Sequence, residues 1–286
     1  MRFLVFTDLH YDAMPDGQLR LEKLIRYGID KKAEFILGLG DICHPKEENR
    51  FVIDSFDGCG LPYYFIPGNH DKEYCNEARV LKFWNLEKSY FSIMKDNVKF
   101  IFLSAVETIM GSTVPEEQVE WLAEELKADS FFVILTHQSL ASEFITPNGK
   151  SRGMTNRKII QNLLEERNKL GRHVLFCMNG HDHGSSIAKI NGITYYTLNS
   201  CSYIWQGAKE LFPYSPEVHE KYPFLKNEIL YKEPLHCMVN IDEAGSVVIE
   251  GMEGSYLTVF PKDAGMDYSY NGVSILPHTL SACLTN

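Results

Sequence analysis

The stretch FIPGNHDKE (residues 65–73) ends an apolar run on Gly68, Asn69, His70 and Asp71 with no spacer. Gly, Asn and Asp are poor strand formers, and a turn explains the first two of these positions. A turn does not explain the His-Asp pair that follows. The meaning of this corner depends on what else in the chain can meet it.

Apolar runs alternate with helical patterns through the first two-thirds of the sequence. Residues 2–7, 34–39, 62–67, 98–105, 131–137 and 173–180 are near-continuous apolar runs, as expected for strands covered on both faces. Amphipathic patterns predict helices near 18–33, 47–57, 116–127 and 155–170. The third has Thr113 or Ser112 as a cap and Pro115 in its first turn. Asp96-Asn97 and Asn191-Gly192 mark hairpins. The pattern predicts a layered α/β domain with partly antiparallel sheets. Residues 1–200 hold every motif described below. Residues 201–286 read as an extension packed on that core, with a β-hairpin at 235–251 and an irregular tail from 258.

The strand ends carry the chemistry. The first run leads into Asp8-Leu9-His10, the second into Gly40-Asp41, and the third into Gly68-Asn69-His70-Asp71. The last two end in His137 and in Gly180-His181-Asp182-His183. In open α/β sheets the crevice beyond the strand C-termini is where ligands bind. Five strands therefore deliver Asp, His and Asn side chains to one edge. Carboxylates, imidazoles and an amide without thiolates suit Mn, Fe or Zn. Seven candidate ligands are too many for one ion and suit two that share a bridging group. Two ions about 3.5–4 Å apart can clamp the attacking and leaving oxygens of a phosphoryl displacement.

At these residues the chain resembles the calcineurin-like metallophosphoesterases. The ordered motifs D-x-H, G-D, G-N-H-D, a strand-end His and G-H-x-H all occur between Asp8 and His183. The resemblance implies a four-layer α/β/β/α fold, a β-sandwich flanked by helices. It implies that Asp8, His10, Asp41 and His183 bind one ion and that Asp41, Asn69, His137 and His181 bind the other. Asp41 would bridge two divalent or mixed-valence ions. His70 would be the catalytic acid, Asp71 would orient it, and a hydroxide between the ions would attack phosphorus. GDICHPK (40–46) lacks the D-R-G arginine of the protein phosphatases and the metal-bound Tyr of the purple acid phosphatases. What remains resembles the small bacterial phosphodiesterase-like group.

The formal net charge of −10 argues against a nucleic-acid surface. Seven scattered cysteines, an odd number with no C-x-x-C pair, suit reduced thiols in a cytoplasm. No run reaches the roughly 18 apolar residues of a membrane span. The expected partner is a small phosphodiester, a cyclic nucleotide or other nucleotide-like diester, with a phosphomonoesterase or a Mn-dependent nuclease as the alternative activities. A non-catalytic scaffold would have lost ligands, and none is lost. Each motif taken singly also has an ordinary reading as a strand-end cap or a satisfied polar group; their order decides against it. His44, Lys150 and Arg152 lie in loops that could reach a phosphate. Tyr203, Trp205, Phe212 and Tyr214 read as packing of the extension.

Overall fold

The computed structural model describes residues 1–171, 173–206 and 209–284. Two six-stranded sheets face each other with helices outside both. The first runs, from edge to edge, Ala282–Leu284, Val247–Glu250, Cys237–Ile241, Arg2–Phe6, Phe35–Gly38 and Tyr63–Phe65. The second runs Ser186–Ile190, Ile193–Thr197, Val174–Asn179, Phe131–Thr136, Val98–Leu103 and Phe91–Lys95.

The alternation of a strand explains the layering. Phe3 and Val5 point between the sheets, where they meet Phe35, Leu37, Phe100 and Phe102. Leu4 and Phe6 point outward onto Leu21, Leu24, Val52 and Phe56 of the helices Gly17–Asp30 and Arg50–Asp57. Ile101, Phe132 and Ile134 of the second sheet do the same against Leu122, Ile160 and Leu164. Phe3 stacks on Phe35 at 4.7 Å and meets Phe100 edge-on at 5.3 Å, which locks the two sheets together. The result is the expected α/β/β/α sandwich.

The differences are local. Glu77–Trp84 is a helix that the sequence reading passed over, although Asn76 caps it by accepting the Arg79 N–H at 3.0 Å. Pro216–Lys221 is a second such helix. Ser112 and Thr113 do not cap the helix Glu116–Glu125; they belong to the short strand Gly111–Thr113, and Ser112 donates to Glu107 at 2.6 Å. The tail is also less irregular than expected. Ala282–Leu284 pairs with Val247–Ile249, and Ser269–Tyr270 forms a hairpin with Val273–Ser274.

Residues beyond 200 reach the centre of the molecule. Cys237–Ile241 of the expected hairpin pairs antiparallel with Arg2–Val5, and Tyr203–Trp205 pairs with Glu228–Leu230 in a small second-tier sheet. Arg20, wholly buried, ties these parts together. Its guanidinium donates to the Cys201 carbonyl at 3.0 Å and to the Tyr231 carbonyl at 2.5 Å, and meets Asp16 at 2.8 Å.

Candidate metal centre

Five of the predicted site residues sit in left-handed backbone that non-glycine residues rarely adopt: Asp8, His10, Asp41, His181 and His183, with φ between 47° and 66°. Each such residue costs roughly 1–3 kcal/mol and persists where the surroundings enforce it. All five lie where the chain leaves a strand and turns across the sheet edge. Gly68 is required by close approach, because a Cβ there would stand 2.1 Å from Asp41 Oδ1. Gly180 is held likewise, 1.9 Å from Thr7 Oγ1.

Asp8, His10 and His183 form one cluster, and Asp41, His137 and His181 form another; within each, one ligand atom per residue lies within 4.8 Å of the others. In the first, Asp8 Oδ2 accepts from Thr7 Oγ1 and from the His181 N–H, while Oδ1 has no hydrogen-bond partner. That bare oxygen lies 3.2 Å from His183 Nε2 and 3.9 Å from His10 Nε2. His183 Nδ1 donates to the Tyr203 carbonyl at 2.7 Å, so its Nε2 carries the lone pair. The two imidazoles meet Nε2 to Nε2 at 3.3 Å.

The second cluster repeats this logic. His137 Nδ1 donates to the Leu39 carbonyl at 2.6 Å, which turns its Nε2 toward Asp41 Oδ2 at 3.1 Å and Asn69 Oδ1 at 3.2 Å. With acceptor oxygens on two sides, that buried corner calls for positive charge, a proton on Nε2 or an ion in its place. Burial alone would lower the His137 imidazole, yet Asp41 and then Asp8 raise it to about 9. Burial opposes the Asp41 carboxylate too, and His137 still draws it well below its usual range. Burial lowers the His10 imidazole to about 3. Both corners favour positive charge: ionised Asp41 and neutral His10 are ready donors, and His137 becomes one when an ion displaces its proton, so the residues fit divalent ions.

His70 projects from the same edge, and its ring meets that of His10 at 5.3 Å. Its expected partner is not the one found. Asp71 is buried and its carboxylate accepts the backbone N–H groups of Gly68, Asp41, Ile42 and Cys43, at 2.7 to 3.2 Å. Burial and the Asp41 charge push that carboxyl up to about 6, against the four amides that favour its anion. The carboxylate on the His70 ring is Glu73, with Oε2 2.9 Å from Nδ1. Glu73 follows His70 by three residues in FIPGNHDKE, a spacing that a single helical turn brings together, so this signal was readable.

Asp182, between two histidines of the clusters, turns away and accepts from Arg152 Nε at 3.2 Å. Burial nonetheless raises its carboxyl to about 6. Arg152 also donates to the His181 carbonyl at 2.8 Å, and so braces this loop. Both Arg152 and His44 line the cavity over the metal edge; Lys150 is exposed and lies outside its lining. His44 is held by Asp12 at 2.9 Å. Tyr203, read as packing, lies 4.8 Å from the His10 ring and 4.9 Å from that of His183, and forms the cavity wall beside them.

Residues 1–185 match the calcineurin-like phosphoesterase family. The chain belongs to that family. Among curated proteins no match is found. Solved structures with a similar fold include a dimetal phosphatase from Danio rerio, 13% identical, with 90% of this chain and 98% of that one aligned at a TM-score of 0.63. Another is GAP50, the anchor in the inner membrane complex of Plasmodium, 14% identical, with 99% and 88% aligned at 0.57. At these identities the likeness concerns the fold. No helix among the described residues is long and apolar enough to cross a membrane.

Proposed function

We propose that this calcineurin-like phosphoesterase is a dinuclear-metal hydrolase of small phosphodiesters. The observation that carries the reading is that His10 and His183 of one cluster, Asp41 and His181 of the other, and His70 line one cavity of about 460 Å³. Asp8, His10, Asp41 and His183 would hold one ion, and Asp41, Asn69, His137 and His181 the other. Manganese, iron and zinc all suit this donor set. When bound, two such ions supply a nucleophile at neutral pH and Lewis acidity toward the phosphoryl oxygens.

The rest falls to the chain itself. Glu73 accepts from His70 Nδ1, so His70 presents Nε2–H to the cavity, where it can protonate the departing oxygen. The His70 side chain is 47% exposed, as a group that must reach substrate has to be. Asp71 is a positioning residue. By gathering four amides it fixes the turn carrying Asp41 against the turn carrying Asn69 and His70. The left-handed turns hold the donors in place before substrate arrives, so little reorganisation is left for the reaction step.

Diesters are favoured over monoesters because no arginine follows Asp41, and two Arg152 nitrogens are engaged with Asp182 and His181. The net charge of −10 disfavours polynucleotides. A cytoplasmic setting rests on the scattered cysteines. The test is elemental analysis followed by kcat/KM with matched aryl mono- and diesters, a cyclic nucleotide and a single-stranded oligonucleotide. Two ions per chain and a lead for the small diesters are expected. A tenfold lead for the monoester or the oligonucleotide, about 1.4 kcal/mol in barrier, would overturn the substrate reading.

A further inference from the structure

The cavity has a second end, away from the metal edge, built by the small sheet of Tyr203–Trp205 and Glu228–Leu230. Trp205 and Glu228 are direct cross-strand partners in this pair, so their side chains leave the same face. Tyr203 shares that face, two residues before Trp205. Tyr203, Trp205 and Glu228 all line the cavity, with Phe224 beside them. Tyr203 touches the rings of His10 and His183, so Trp205 and Glu228 stand one two-residue step, about 7 Å, further out along the strands.

Glu228 is anomalous there. It is wholly buried, and neither carboxylate oxygen has a hydrogen-bond partner. Among the described residues it makes no ion pair, and Arg152, already committed to Asp182, is the only Lys or Arg lining the cavity. Burial alone holds its carboxyl well above the usual range. Burying an acid without a partner costs stability, and nothing in the packing of the small sheet requires it. A cationic ligand would let this carboxyl ionise and would supply its counter-charge. Aromatic faces next to a carboxylate are also the surroundings that bind alkylammonium groups, through cation–π attraction.

We propose that Glu228, Trp205 and Phe224 form a subsite for an alkylammonium group carried on the organic end of the phosphodiester. The inference rests on the phosphodiesterase reading for its substrate and adds the charge of the ester arm. An arm of the aminoalkyl or choline type would carry its charge from the metal edge toward Trp205 and Glu228. An aromatic base could lie on Trp205 as well, but neutral N–H donors would leave Glu228 without the positive charge its surroundings lack.

The test compares 4-nitrophenyl phosphorylcholine with 4-nitrophenyl 3,3-dimethylbutyl phosphate, its uncharged carbon isostere, using the manganese-loaded protein. The choline ester is expected to lead by tenfold or more in kcat/KM, and Glu228→Gln to bring the ratio to within about threefold. Trp205→Leu, at a half-exposed position that tolerates change, should lower the same ratio if Glu228→Gln fails to fold. Equal rates for the two esters would overturn the subsite while leaving the phosphodiesterase reading intact. A tenfold lead for 4-nitrophenyl thymidine 5′-phosphate over both would overturn it in favour of a base. If two ions bind and no diester is cut, the phosphodiesterase reading fails, and calorimetry decides the subsite alone. Choline binding that is lost in Glu228→Gln supports it, and no binding overturns it. Glycerophosphocholine and phosphatidylcholine vesicles, offered in turn, separate a free diester from a lipid headgroup; cleavage of either that falls tenfold in Glu228→Gln supports the subsite, and cleavage unchanged by the substitution overturns it.

Discussion

Glu73 Oε2 lies 2.9 Å from His70 Nδ1, while Asp71, the residue next to His70, buries its carboxylate among four backbone amides. Two acids within three positions of one histidine therefore have different duties. Glu73 sets the tautomer and facing of the ring, and Asp71 holds the loop that the ring stands on.

This division is testable with leaving groups. His70→Asn should keep both ions yet slow alkyl diesters by about 10²–10⁴, and activated aryl diesters far less, because a good leaving group hardly needs a proton. Glu73→Gln should show the same selectivity at a smaller size, roughly tenfold, since the ring remains and only its anchor weakens. Equal losses on both ester types would remove His70 from the role of acid.

Asp71→Asn should act on folding first. The amide NH₂ cannot accept, so one side of the group would face backbone donors that lose their partner. Hydrogen bonds to a charged group contribute about 1.5–3 kcal/mol each, and a loss of about 3 kcal/mol in denaturant unfolding is expected. An unchanged midpoint would show that the four amides find other partners.

Metal loading should raise the melting temperature. Ions that bind only the folded chain stabilise it by about 2.7 kcal/mol per site at a hundredfold excess over Kd. Asp41→Asn, with Asp41 proposed as the ligand the two ions share, should lose bound metal, that thermal shift and turnover together. Two ions still found by elemental analysis, with full activity, would sink the bridging assignment.

The Glu228 carboxyl titrates well above its ordinary value of 4.5 in the folded chain, with burial as the cause. Above pH 4.5 the folded state therefore binds more protons at this group than the unfolded state, and its contribution to stability falls as pH rises. Glu228→Gln removes the effect. The variant should melt higher than the wild type at pH 7, and the gap should shrink as pH falls toward 4.5. A gap that stays constant across this range would show that Glu228 is not held protonated by burial.

Most of the fold could be read from the chain because its signals are local. Runs such as FFVILTH and HVLFCMNG can be satisfied only as covered strands, and Asn191-Gly192 closes a hairpin by its own backbone preference. The helix Glu77–Trp84 was legible by the same rules, with Asn76 as cap and Val80, Phe83 and Trp84 at helical spacing. Ala282–Leu284 was not: three residues carry no period, and the strand exists because Val247–Ile249 offers an unpaired edge.

The candidate ligands were visible for a similar reason. Asp8, His10, Asp41 and Asn69 follow strands of the first sheet and His137, His181 and His183 follow strands of the second; parallel strands deliver their ends to one edge of each sheet, and the packing of the two sheets brings those edges together. Which acid faces His70 was beyond that logic, since one residue along a tight turn swings a side chain to another side. So was Glu228, whose isolation depends on Tyr203–Trp205 folding back beside it. The order of residues along the strands determined the sheets and the ligand set. Contacts between distant segments decided which acid faces His70 and which is left without a partner, because burial and pairing are properties of neighbours in space.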